Sequence, residues 1–350
     1  VRANIIEAQL IETTILSYLN SCIKFTTAAR RLVESSNGIP IIEFGARRAD
    51  GPEAAVLASK CAFIAGCVGT SNVMAGQLYD IPVLGTMAHS MISAEDSEYE
   101  AFLKYAKSFP NDAIFLIDTY DTLKSGIVNA IRVANEYLIP NGYRLKSVRI
   151  DSGDLAYLSK RVRKILDDAG MSDAGIVLSN SIDPMTISSL QAQGAKFNSI
   201  GAGDNIAAPK GRVGVVYKLV AIEENGKIIP RIKISNDASK IVNPGYKKLY
   251  RFYDKKTGYA LGDSMALHDE VIPTDEFVLI DPLNEFNTTT ITDYICKELQ
   301  VPLFKDGKLV YEDPDIRTKQ IYCNVQMGTM YPEVKRIENP HKYYVDQTQK

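Results

Sequence analysis

The chain has 350 residues, 45% hydrophobic and 23% charged, with 40 Lys+Arg against 42 Asp+Glu. At roughly 100 to 200 residues per domain, this length predicts two or three domains with a large core. The near-neutral, ordinary composition argues against disorder, a collagen and a polybasic nucleic-acid arm.

From Asn4 to about Glu34 apolar residues recur at helical spacing (Ile6, Leu10, Ile15, Leu19, Ile23), which predicts one or two helices. Beyond Gly38-Ile39-Pro40 short apolar runs alternate with helical segments. The runs are Ile39 to Phe44, Cys67 to Gly69, Ile81 to Thr86, Ala113 to Ile117, Ser147 to Ile150, Ile176 to Leu178 and Phe197 to Ile200. Helices are expected over Pro52 to Ala65, Asn72 to Tyr79, Glu95 to Ser108, Leu155 to Ala169 and Pro184 to Gln193. Seven strands separated by helices, several without polar alternation, predict a parallel sheet buried on both faces, either barrel or doubly wound.

Cys61 to Ala94 carries one formal charge, Asp80, and Cys61 to Tyr79 is nineteen uncharged residues. Gly66, Gly69, Gly76, Thr70, Ser71, Asn72 and Gln77 interrupt it, so it reads as buried interior and not as a membrane span. The first residues lack the zones of a signal peptide. Five cysteines without a C-x-x-C pair argue against a disulfide framework or zinc ribbon and fit a reducing compartment.

Beyond Arg212 the texture becomes antiparallel. Val213 to Ser235 predicts a hairpin turning at Glu224-Asn225-Gly226-Lys227, and Lys247 to Leu261 another turning at Asp254 to Gly258. The tail from Phe277 predicts a helix near Thr292 to Leu299 among Pro-containing loops.

Nearly every parallel run ends in polar residues: Glu43 to Arg48, Gly69 to Asn72, Thr86 to Ser90, Asp118 to Asp121, Asp151 to Asp154, Ser179-Asn180 and Gly201 to Asn205. In a barrel these ends converge on one mouth, where the active sites of such folds lie. His89, one of three histidines, is either a hydrogen-bonded buried side chain or a reacting group. Asp151-Ser152-Gly153-Asp154, with Arg149 just before it, suits sugar hydroxyls, magnesium or a developing cation; Asp154 as a helix N-cap leaves Asp151 free for that work. Gly201-Ala202-Gly203, near Lys210 and Arg212, reads as a phosphate-binding turn or a plain turn. Arg47 and Arg48 suit a phosphate or carboxylate, with Asp118 and Asp121 opposing them. Together these features favour positioning and electrostatic stabilisation of a phosphosugar over nucleophilic attack by the protein.

The run EFGARRADGPEAAVLASKCAFIAGCVGTSNVMAGQLYDIPVLGTMAHSMI, then RIDSGDL, IVLSN, GAGDNIAAPKGRVGVVYKLV, PRIKIS, PGYKKLYRFYD, LFKDGKLVYE and NPHKYYV, resembles the nicotinate phosphoribosyltransferases over essentially the whole chain. The resemblance implies an irregular parallel α/β barrel of about seven strands with a smaller antiparallel second domain. The expected division is 1–38 helical lead-in, 39–212 barrel and 213–350 second domain. It implies ATP-coupled transfer of phosphoribosyl from phosphoribosyl pyrophosphate to nicotinate, in NAD salvage, by a cytoplasmic homodimer with shared active sites that binds neither nucleic acid nor membrane.

By the same resemblance His89 is the histidine that ATP phosphorylates, with Asp118 and Asp151 as further catalytic residues. Phe44 stacks on the pyridine ring, and Thr86 and Arg149 contact nicotinate. Arg47, Ser179, Asn180, Gly201, Gly203 and Asp204 bind phosphoribosyl pyrophosphate and its phosphates. Magnesium enters with the pyrophosphate, near Asp118. The related nicotinamide-using enzyme has an aspartate at the position of Ser71; a neutral Ser71 favours the acid, because two facing carboxylates repel by several kcal/mol in a dry pocket. Two departures follow. Asp204 replaces the family's threonine and is expected to face magnesium or Lys210. The family's N-terminal segment, with a tyrosine that stacks on nicotinate, is expected upstream of Val1. The competing expectations are nicotinamide or quinolinate as the base, or a non-catalytic phosphosugar-binding fragment.

Overall fold

A computed structural model describes residues 1–211, 214–234, 236 and 243–348. The chain folds as two units. One comprises Val1–Ser17, Gly214–Asp315 and Asn324–Lys350; the other comprises Tyr18–Val213 and Ile316–Cys323. The expected lead-in is therefore split, its first residues grouping with the antiparallel material. It forms α1 (Ile5–Leu10), capped by Asn4, and α2 (Glu12–Ser35), separated only at Ile11.

The larger unit is the parallel one. Its elements in order are β1 (Ile41–Glu43), α3 (Pro52–Ile64), β2 (Gly69–Thr70), α4 (Val73–Tyr79), α5 (His89–Ser93), α6 (Glu98–Ser108) and β3 (Ile114–Leu116). They continue with α7 (Ile127–Val133), β4 (Ser147–Ile150), α8 (Leu155–Asp168), β5 (Gly175–Leu178), α9 (Pro184–Ala192), β6 (Ser199–Ala202) and α10 (Asp204–Ala207). The strands pair in parallel in the order β2-β1-β6-β5-β4-β3, an irregular half-barrel. The seventh expected strand, Ile81 to Thr86, adds only the bridge Thr70 to Val83. Pro82 explains this: it accepts from Thr70 N but has no N–H with which to extend a ladder.

Strand apolarity is explained by burial on both faces. Ile41, Phe115, Leu116, Val148, Ile150, Ile176, Leu178 and Ile200 are all at most 1% exposed. Each such side chain contributes roughly 1.5–3 kcal/mol of transfer free energy. Phe115 stacks on Phe102 of α6 with centroids 4.8 Å apart. Gly126, before α7, has no substitute, because a Cβ there would lie 1.8 Å from the Ile117 carbonyl oxygen. The helices start where the sequence supplies caps: the side chains of Asn72, Ser97, Asp154 and Asp183 accept from backbone N–H groups of the first turns of α4, α6, α8 and α9.

The second unit holds a hairpin, β7 (Ala221–Glu224) and β8 (Lys227–Pro230), turning on Asn225 and Gly226, both at positive φ (51° and 76°) as a type I′ turn requires. Val213 and Ser235, the expected limits of this hairpin, lie outside the described residues, as does Arg212. The remaining strands are β9 (Lys247–Asp254), β10 (Ala260–Leu267), β11 (Glu276–Asp281), β12 (Asn284–Thr292), β13 (Tyr294–Glu298), the pair β14 (Phe304–Lys305) and β15 (Lys308–Leu309), and β16 (Val345–Gln347). Two helices lie before β16: α11 (Ile316–Gly328), whose first eight residues belong to the parallel unit, and α12 (Pro332–Lys335). The six-stranded sheet runs β12-β11-β16-β10-β9-β13, antiparallel except for β10 with β16. Phe252, Phe277, Leu279, Ile291 and Tyr294 form its core.

The helix expected near Thr292 to Leu299 is a strand instead. Tyr294 to Glu298 pair with Asp254 to Tyr250 of β9, so a partner distant in sequence decides the conformation of a segment whose own pattern is ambiguous. No helix among the described residues is long and apolar enough to cross a membrane.

Candidate active site

The ends of β1, β2, β3 and β4, together with the segment leading into α5, surround a cavity of about 390 Å³. Phe44, Arg47, Ser71, Thr86, His89, Arg149 and Asp151 line it. A smaller cavity of about 80 Å³ adjoins it; it shares Phe44, Arg47, Arg149 and Asp151 and adds Ser179, Asn180, Gly201, Gly203 and Asp204. Asp118 and Asp121 line neither; Asp118 is joined to the site by the Asp151 N–H, which donates to its Oδ2.

Arg149 organises the floor. Its Nε donates to Ser179 Oγ (2.8 Å), Nη1 to Thr86 Oγ1 (2.9 Å) and Nη2 to Asp151 Oδ1 (2.9 Å). Ser179 Oγ also donates to Asp151 Oδ1. The guanidinium carbon lies 5.3 Å from the centroid of the Phe44 ring, within cation–π range. A cation fixed by three partners, with an aromatic face beside it, can receive a planar anion without reorganising.

Two carboxylates, Asp118 and Asp151, stand beside His89. Asp118 Oδ2 accepts from Asp151 N (3.1 Å) and Ser152 Oγ, whereas Asp118 Oδ1 is buried with no hydrogen-bond partner among the described residues. His89, the first residue of α5, has Nδ1 3.1 Å from Thr119 Oγ1. Its Nε2 is 3.8 Å from Asp151 Oδ2 and 3.9 Å from Asp118 Oδ1. The imidazole is thus aimed between two carboxylates while its side chain remains 44% exposed to the cavity. Asp121 does not oppose the arginines: its Oδ1 accepts from Lys124 N (2.8 Å) and Leu123 N (3.0 Å), and the first of these bonds chiefly lowers its pKa.

Arg47 is exposed and has no ion-pair partner among the described residues, so it offers a free guanidinium to both cavities. Arg48 is occupied, its Nε lying 2.9 Å from Asp204 Oδ1. Asp204 therefore faces Arg48, where the sequence suggested magnesium or Lys210. Gly201 and Gly203 are required by close approach. A Cβ on Gly201 would lie 2.5 Å from the Phe44 ring, and one on Gly203 3.0 Å from the Phe44 carbonyl oxygen.

Sequence reasoning overlooked Glu43 as a structural centre. Its buried carboxylate accepts from Gly45 N, Ser59 Oγ (2.8 Å) and Thr70 Oγ1 (2.6 Å), tying the loop that carries Phe44 and Arg47 to α3 and to the loop that carries Ser71. A carboxylate ending an otherwise apolar buried strand was the available signal. Thr119, partner of the His89 ring, left no comparable signal.

Residues 39–240 match the Nicotinate phosphoribosyltransferase (NAPRTase) family and residues 246–350 the Nicotinate phosphoribosyltransferase C-terminal domain. A nicotinate phosphoribosyltransferase of Bacillus subtilis is 42% identical over 351 residues, covering 99% of this chain and 71% of that protein. The Caenorhabditis elegans protein of the same name is 34% identical, with 96% and 70% covered. The crystal structure of human nicotinic acid phosphoribosyltransferase superposes with a TM-score of 0.82 at 26% identity, over 97% of this chain and 75% of that one. With two family matches spanning both units and relatives aligned over nearly all of this chain, the chain belongs to the nicotinate phosphoribosyltransferase family.

Proposed function

We propose that the chain transfers the phosphoribosyl group of phosphoribosyl pyrophosphate to the ring nitrogen of nicotinate, giving nicotinate mononucleotide and pyrophosphate in NAD salvage. The observation that carries this reading is Arg149, pinned by Thr86, Ser179 and Asp151 beside the Phe44 ring. Phe44 stacks on the pyridine, while Arg149 and the Thr86 hydroxyl take the nicotinate carboxylate. The pyridine nitrogen carries its own lone pair and needs no general base. As the C1–O bond to pyrophosphate breaks, positive charge grows on the ribose, and the Asp151 carboxylate opposes it at fixed position. Arg47 holds the departing pyrophosphate, and the smaller cavity, walled by Ser179, Asn180, Gly201 and Gly203, takes the 5′-phosphate.

ATP coupling is part of the proposal. His89 Nε2 attacks the terminal phosphorus of ATP; an N–P bond forms, the bridging O–P bond breaks, and ADP leaves. Two carboxylates within 4 Å of Nε2 would repel a phosphoryl group there, so the residues fit a magnesium ion held by Asp118 and Asp151 together with substrate phosphate oxygens. Magnesium supplies charge neutralisation when bound. The unpartnered Asp118 Oδ1 supports that fit, although no cluster of three metal-binding side chains occurs among the described residues. A homodimer with shared sites is also proposed, on the family resemblance. A reducing, cytoplasmic setting is supported by five free cysteines, of which Cys67 is held protonated by burial.

Ser71 favours nicotinate over nicotinamide, because a hydroxyl at the cavity wall adds no negative charge opposite the substrate carboxylate. Coupled pyrophosphate detection tests the transfer. Release should require both phosphoribosyl pyrophosphate and nicotinate; release from the donor alone, or none, contradicts the reading.

A further inference from the structure

Between β5 and α9 the backbone turns through two left-handed residues. Asn180 has φ 103°, the largest positive value of any non-glycine among the described residues, and Ser181 has φ 47°. The value at Asn180 lies well outside the left-handed helical well near +57°, and such a conformation persists only where its surroundings enforce it. Both residues line the smaller cavity.

The turn is held from its two flanks. Upstream, Ser179 N donates to Ile150 O (3.0 Å), and Ser179 Oγ is engaged by Arg149 and Asp151. Downstream, Asp183 caps α9 by accepting from Thr186 N (2.7 Å). Between these anchors, among the described residues, a single side chain from another element hydrogen-bonds to the turn. Asn205 of α10 donates from Nδ2 to Ile182 O (2.9 Å) and to Ser181 O (3.3 Å). Asn205 does not line the cavity. It follows directly on Gly201 to Asp204, so its amide straps the β5 loop to the β6 loop, the two walls of the same small cavity.

We infer that Asn205 is a positioning residue for the phosphate end of the donor: its side-chain amide keeps the Asn180–Ser181 turn in the strained shape that completes the smaller cavity. Without the strap the turn relaxes toward ordinary conformations, and the phosphate binds only the fraction of molecules that still hold the competent shape. The cost therefore falls on the phosphoribosyl half of the reaction and spares the nicotinate half, whose contacts Phe44, Thr86 and Arg149 do not touch Asn205. This inference rests on the assignment of the smaller cavity to the 5′-phosphate.

The experiment compares the full chain with Asn205→Asp and Asn205→Ala. The aspartate keeps the volume but replaces the one donating nitrogen with an oxygen that faces two carbonyls. Calorimetry with ribose 5-phosphate gives affinity independently of turnover, and steady-state kinetics give KM for each substrate, with Tm measured alongside. Both variants should weaken ribose 5-phosphate binding and raise KM for phosphoribosyl pyrophosphate by about tenfold or more, the aspartate most, with KM for nicotinate changed less than about twofold. Unchanged donor constants, or both KM values rising together in step with a loss of Tm, would overturn the inference. A wild-type chain that binds ribose 5-phosphate but makes no nucleotide would count against the proposed function and leave the Asn205 comparison intact.

Discussion

His89 Nε2 stands 3.9 Å from Asp118 Oδ1, a buried carboxylate oxygen that accepts no hydrogen bond from the described residues. Asp151 Oδ2 lies 3.8 Å from the same nitrogen. At an effective dielectric constant near 20, a charge at that distance from a carboxylate feels about 4 kcal/mol, and the exposure of His89 reduces this further. On the proposed reading, a phosphoryl group on Nε2 would therefore gain from a cation between it and the two carboxylates. Chelating magnesium should abolish labelling of the protein by ATP carrying a radioactive terminal phosphate. Asp118→Asn should raise the magnesium concentration for half-maximal labelling by roughly tenfold, since one of at most two carboxylate ligands is lost. Labelling that persists in excess chelator would show that His89 does not carry the phosphate in this way.

The Phe44 ring is seated against Gly201, where a Cβ would come within 2.5 Å. Gly201→Ala must displace the ring. The expected result is a rise in KM for nicotinate of about tenfold, with a smaller change for the phosphoribosyl donor, because the stacking face is lost before the phosphate loop is. Equal changes for both substrates would show that the loop, and not the ring, is what Gly201 protects.

Ser71 is exposed at the wall of the larger cavity, and its backbone N–H donates to Glu43 O (2.9 Å). Ser71→Asp leaves that backbone bond in place and adds a carboxylate facing the one on nicotinate. Nicotinate kcat/KM should fall by at least about tenfold, while nicotinamide is tolerated equally well or better. If nicotinate turnover is unchanged, discrimination between acid and amide lies elsewhere in the cavity.

Glu43 ties three segments through one buried carboxylate. Glu43→Ala strands the Ser59 and Thr70 hydroxyls and opens a cavity beneath the Phe44 loop. A loss of about 3 kcal/mol is expected, seen as a fall in Tm of roughly 6–12 °C. Glu43→Gln preserves the volume and one acceptor oxygen and should cost about half as much. A Tm shift within about 1 °C for the alanine variant would mean that the carboxylate does not anchor these loops.

Much of this site was legible in the sequence because parallel strands deliver their C-terminal residues to one edge, so Arg47, Ser71, Asp151, Ser179 and Gly201 could be grouped by their positions after apolar runs. Asp154 was legible as a cap, and Asn225-Gly226 as a turn, because both depend on residues adjacent in the chain. What could not be read depended on distant partners. β13 is a strand because β9 pairs with it, and the Arg48–Asp204 ion pair and the Asn205 strap join loops more than twenty residues apart. Pro82 was visible, but its effect, reducing an expected strand to one bridge, required knowing that Thr70 would be its neighbour.

The most direct test of the account is a competition assay in which the purified chain receives phosphoribosyl pyrophosphate, magnesium and ATP with equimolar nicotinate, nicotinamide and quinolinate, and the nucleotides formed are resolved by mass. Nicotinate mononucleotide should dominate the products, and Arg149→Ala should lower its yield by about 100-fold or more, as expected when a fixed charge contact to the substrate is removed. A preference for either of the other two bases, or nicotinate mononucleotide formed equally well without Arg149, would contradict the account.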